Sequence, residues 1–122
     1  MAYIINYYEV GKNVKIKISG KWPEDPEELL RAVFNISKKH ILSSLLIDVS
    51  HLENEPTPLE DYKTIKLMQQ IGFDKIPMIA VVDKEKNKKA DEIFEGFSHN
   101  TQINIRFFYN EEDASNYINI IH

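Results

Sequence analysis

Two short apolar runs constrain this chain more than anything else in it: "LLIDV", residues 45–49, and "MIAVV", residues 78–82. Each is about five residues long and bounded by polar residues. Runs of that kind read as strands buried on both faces of a sheet. Between them lies a helix-start signal, Thr57-Pro58-Leu59-Glu60, with Thr57 as N-cap, Pro58 in the first helical position and Glu60 in the third. Strand, helix, strand in that order predicts parallel pairing through a right-handed crossover.

The same alternation extends both ways. Residues 3–9 are rich in aromatic and β-branched side chains. Gly11, Lys12 and Asn13 supply turn chemistry, and in "VKIKIS" Val14, Ile16 and Ile18 alternate with Lys15 and Lys17. Period two with one polar face predicts a half-exposed strand, so the chain opens with an antiparallel hairpin. "DPEELLRAVFNISKKH" then predicts a helix with Asp25 as N-cap, Pro26 at its first position and Glu28 at its third. Its apolar face is Leu29, Leu30, Val33 and Phe34, and Lys38, Lys39 and His40 sit where the macrodipole favours positive charge.

The helix begun at Thr57 runs to about Gly72 and is expected to bury Leu59, Tyr62, Ile65, Met68 and Ile71. Ala90, Ile93, Phe94 and Phe97 share the spacing of one face of a third helix. Residues 103–109 read as a strand. Asn110 caps a last helix with Asp113 at its third position, burying Ala114, Tyr117, Ile118 and Ile121. The prediction is an α/β fold in one domain, residues 1–122, with order β-β-α-β-α-β-α-β-α. Its five-stranded sheet is mixed but mostly parallel and carries four helices.

Absences narrow the chemistry. Cysteine is missing, which excludes disulfides, thiolate metal sites and Cys nucleophiles and fits a reducing, cytoplasmic setting. The four glycines build neither a dinucleotide fingerprint nor a P-loop, and the four histidines have no metal-ligand spacing. No cofactor or metal is expected. A net charge of −4 gives no electrostatic case for nucleic acid, and no apolar run approaches a membrane span. "MAYIINYYEV" lacks the basic and small-residue features of a signal peptide.

The candidate residues lie at the carboxyl ends of the predicted strands, where sites form in open α/β sheets. Asp48, Ser50 and His51 follow the first buried run. Asp48 suits acid–base work, but the reading favoured is a strand-to-loop turn in which it accepts backbone N–H bonds. Trp22, the only tryptophan, either anchors a partner or folds back over the core. Thr57 caps a helix, and a phosphate there would meet free N–H groups and the positive end of the dipole.

The "KISG" of the hairpin, the central "LLIDVSHLE", the later "IAVV", the "FF" near the end and the final helix resemble the SpoIIAA-like family. This is the small α/β fold shared by STAS domains, which include anti-sigma factor antagonists. Asp48-Val49-Ser50-His51-Leu52 is similar to their D-L-S-x-V. Thr57 stands near the helix start where they carry a phosphoacceptor serine, although the Ser-Ser-Gly of their D-S-S-G is absent. The resemblance implies a non-enzymatic regulatory module with a protein partner, using a surface around Trp22, Asp48, Ser50, His51 and Thr57. Kinship of the fold with CRAL-TRIO domains implies the alternative, a carrier or sensor of a lipid or other small apolar ligand. A small enzyme using Asp48 and His51 is the third reading. A homodimer through an edge strand or helix face stays open.

Overall fold

The computed structural model describes residues 3–10, 13–39, 44–54 and 57–119. Its strands are β1 (Tyr3–Val10), β2 (Asn13–Gly20), β3 (Leu45–Leu52), β4 (Ile79–Val82) and β5 (Ile105–Phe108). Its helices are α1 (Glu27–Lys39), α2 (Pro58–Ile71), α3 (Lys88–His99) and α4 (Glu111–Asn119). Element order and class agree with the reading from the sequence. β1 pairs antiparallel with β2, from Tyr3 opposite Gly20 to Val10 opposite Asn13. The remaining pairs are parallel. The expected turn residues Gly11 and Lys12 lie outside the described residues, as do His40 and Ile121.

The strands lie in the order β1-β2-β3-β4-β5, so each crossover steps one place in the same direction. Right-handed crossovers that always step the same way put their helices on the same face. Accordingly α1, α2 and α3 cover one face, where Ile16, Ile18, Leu45, Ile47, Ile79 and Val81 meet Leu29, Leu30, Val33, Ile65 and Met68. On the other face α4 alone covers the middle of the sheet, with Ala114 and Ile118 packed on Leu46, Met78, Ala80 and Val82. The strand order never reverses, so no crevice opens where winding changes direction. Any cavity at the carboxyl ends of the strands must lie between the sheet and the three-helix layer. The amino ends of α1, α2 and α3 all point to that end.

Three local expectations need correcting. α1 starts one residue late: the Pro26 carbonyl accepts from the Leu30 N–H, and Asp25 Oδ1 accepts from the Glu27 N–H at 3.1 Å. Pro26 is therefore the cap, and Glu28 lies in the second helical position rather than the third. On α2, Leu59 and Tyr62 are 64% and 46% exposed, not buried. On α3, Ile93 is 45% exposed. In both helices polar side chains hold the inward face instead: Asp61 and Thr64 alongside Ile65 and Met68 on α2, and Asp91 and Ser98 on α3. The helices are thus rotated about their axes relative to their most apolar stripe.

Candidate functional site

The central segment departs first from expectation. β3 does not end at Asp48; it continues to Leu52. Lys17 faces Asp48 and Ser19 faces His51, so β3 carries one more residue than β2 across that interval, a bulge. On its other side β3 is paired with β4 only as far as Asp48, opposite Val82. Asp48 therefore stands where one neighbour has stopped and the other has shifted register. Its Oδ1 accepts from the Ser50 N–H at 2.9 Å and from the Ser50 hydroxyl at 2.6 Å, closing a local turn. His51 Nε2 lies 3.8 Å from Asp48 Oδ2 on an exposed side chain. A nucleophilic triad would need the serine on the histidine and the aspartate behind it. Here the serine is spent on the aspartate.

Trp22 folds back. It is half-buried against the core, its N–H donates to Asn54 Oδ1 at 2.7 Å, and Asn54 Nδ2 donates to its carbonyl at 3.1 Å. That pair ties the segment after β2 to the segment after β3. Thr57 is exposed at the head of α2 in a complete capping box. Its Oγ1 accepts from the Glu60 N–H at 3.2 Å, and its own N–H donates to Glu60 Oε1 at 2.9 Å. Trp22, Asp48, Ser50, His51 and Thr57 all sit toward the carboxyl end of the sheet, yet they form no single polar cluster.

The cluster that does form was not legible as such. Asp61 on α2, Asp83 just after β4 and Asp91 on α3 are each at least nine-tenths buried. Both helical aspartates occupy the fourth position of their helix. Asp83 Oδ1 accepts from the Lys84 N–H at 2.7 Å and from Asn87 Nδ2 at 3.0 Å. Burial first, and then the neighbouring Glu60 and Asp83, push the Asp61 carboxyl up to about 7. Asp91 is pushed up to about 9, chiefly by burial and then by its hydrogen bond to Asp83 and that group's charge. Two carboxyls share a hydrogen bond only if one holds a proton, so Asp91 is the protonated partner at neutral pH. Burial and the Asp91 charge also raise the Tyr109 hydroxyl.

Asp61, Asp83 and Asp91 line a cavity of about 130 Å³ between the sheet and the helix layer, together with Asn87, Thr64 and Asn54. The rest of its lining is apolar, with Ile18, Leu30, Ile47, Met68, Phe94 and Phe107 among it, and Trp22 also borders it. Among the described residues no group of three His, Asp or Glu side chains is arranged to hold a metal ion. None of the helices described is long and apolar enough to cross a membrane.

No family model matches the chain, and no curated protein matches it significantly. Among solved structures it is similar to the crystal structure of an anti-sigma factor antagonist from Mycobacterium paratuberculosis. The TM-score is 0.64 and the identity 15%, over 96% of this chain and 94% of that one. The chain thus shares the fold of that antagonist, in agreement with the fold that the resemblance implied.

Proposed function

We propose that this chain is a non-enzymatic regulatory module that binds another protein, as a protein of its fold named for antagonising an anti-sigma factor would. The observation that carries the reading is the set of apolar side chains turned outward by the rotated helices: Leu59 and Tyr62, three apart on α2, and Ile93 on α3. Tyr62 meets the half-buried Phe97 edge to face with centroids 5.5 Å apart, so α2 and α3 present one continuous surface. Thr57 stands at the head of α2. An exposed apolar strip on a helix pair, rimmed by lysines and glutamates, is the composition of a protein-docking surface. Trp22, Asp48, Ser50 and His51 extend the same end of the molecule.

The test is quantitative affinity capture with the wild-type chain, L59E/Y62E and Thr57→Glu. Proteins held by the wild type are expected to be lost from L59E/Y62E, which is destabilised only by about 1 kcal/mol through loss of the Tyr62–Phe97 contact, and altered on Thr57→Glu. The same proteins at the same levels on all three chains would sink the reading. Native mass spectrometry reads self-association through β1, which lies at the edge of the described sheet and exposes Ile4, Tyr7 and Tyr8.

The apolar cavity supports the second reading, a carrier or sensor of a small ligand. A concave, mostly apolar space with a few convergent polar groups is the usual form of a small-molecule site.

A further inference from the structure

Within that second reading, the polar lining of the cavity specifies what the ligand carries. Asp91 Oδ2 is buried with no hydrogen-bond donor, on a residue only 6% exposed. Asn87 Oδ1 is likewise buried without a donor. The orientation of that amide is fixed, because its nitrogen donates to Asp83. Both residues line the cavity, as do Asp61 and Asp83. The Asp91 proton is held in its hydrogen bond to Asp83, so Asp91 Oδ2 and Asn87 Oδ1 are both unmet acceptors. A buried acceptor left without a donor is costly.

Three kinds of occupant could meet a set of acceptors: a metal ion, water or an ammonium. A metal ion does not fit, because the carboxyls do not converge in a ligating arrangement among the described residues. Water supplies two donors but gains nothing from the apolar remainder of the space. A primary ammonium supplies three donors and no acceptor, and its charge offsets the carboxylates. A cavity of about 130 Å³ is close to the roughly 150 Å³ that accepts a benzene ring in an engineered apolar cavity. We propose that this cavity binds a small primary amine with an apolar body about the size of one ring, its ammonium held by Asp91, Asn87 and Asp61 and its body among Ile47, Met68 and Phe94.

This inference rests on the small-ligand reading, and the probes separate the two. Trp22, the sole tryptophan, borders the cavity, so its fluorescence reports occupancy. The chain is titrated at pH 7.5 with benzylamine, with toluene of the same shape and no donor, and with benzoate of the opposite charge. Benzylamine is expected to saturate and to bind at least about tenfold tighter than toluene, the difference made by one charge-assisted contact. Benzoate is expected not to bind. In Asp61→Asn, which removes a carboxylate, the benzylamine affinity is expected to fall about tenfold while toluene stays within about twofold. Asp91→Leu, which removes the unmet acceptor, is the second variant, should the first fail to fold. Toluene binding as tightly as benzylamine, or an unchanged benzylamine affinity in both variants, would overturn the ammonium and leave a simple apolar carrier. No saturable binding of any probe would remove the carrier reading as well.

Discussion

Residue by residue, the tension in this protein is concentrated on Asp61 and Asp91. Each sits in the first turn of a helix, where the macrodipole favours a carboxylate. Burial and the nearby acids outweigh that field and raise both pKa values. The groups facing them are Glu60 on α2, Asp83 after β4 and Tyr109 after β5. Above about pH 4 the unfolded chain has released these protons while the folded chain keeps them. Stability is therefore expected to fall as pH rises from about 4 through 7, where Asp61 ionises, and on to about 9, where Asp91 does. Urea melts across that range read the slope. The double variant Asp61→Asn, Asp91→Asn is expected to flatten the profile and gain on the order of 2 kcal/mol at pH 8. A wild-type profile already flat between pH 5 and 9 would contradict the assignment. Thr57 carries a smaller term. Thr57→Ala removes the hydroxyl of the capping box and is expected to cost about 1 kcal/mol, seen as a lower urea midpoint at unchanged slope.

Among the elements, α2 shows how a helix end and a helix face are specified separately. Its start is local, fixed by Thr57, Pro58 and Glu60. Its end is fixed by Gly72, whose φ of +121° suits no residue with a side chain. A Cβ there would stand 3.1 Å from Phe34 Cζ, a ring that packs at 5.7 Å from Phe73. Gly72→Ala is expected to destabilise by about 1–3 kcal/mol, from backbone strain plus displacement of that ring, measurable as a drop in melting temperature. The face of α2 is not local. Leu59 and Tyr62 carry more apolar surface than Asp61 and Thr64, yet the latter pair turns inward. Leu59→Glu is expected to leave stability within about 0.5 kcal/mol of wild type, whereas Ile65→Ala, deep in the core, should cost about 2–5 kcal/mol.

Across the whole molecule, the sheet is covered unevenly. β3 and β4 lie between helices on both faces, whereas β1 stands at the edge of the sheet and pairs with β2 alone among the described strands. Local opening takes the least covered parts first. Amide exchange is expected to be slowest in residues 45–48 and 79–82 and fastest in the outward amides of β1. Equal protection in β1 and β3 would mean that something else covers that edge, a second copy of the chain among the candidates.

Residues 45–49 and 78–82 as strands, the capping signals at Thr57 and Asn110, and the alternation in "VKIKIS" together determined the element order and the mixed sheet, because each depends only on near neighbours and on burial along one segment. Capping was legible where the reciprocal partner lies three residues away, as for Thr57 with Glu60 and Asn110 with Asp113. The bulge after Asp48 was not legible, since it arises from pairing with Lys17 and Ser19, about thirty positions earlier in the chain. Asp61, Asp83 and Asp91 were not legible as a cluster either. The only trace was an acid at inward spacing with Ile65 and Met68, and an apolar stripe elsewhere on the same helix outweighed it. The inward turn of those carboxyls was decided only by three helices packed side by side on one face of the sheet, because a helix in such a layer is oriented by what its neighbours leave open rather than by its own most apolar side.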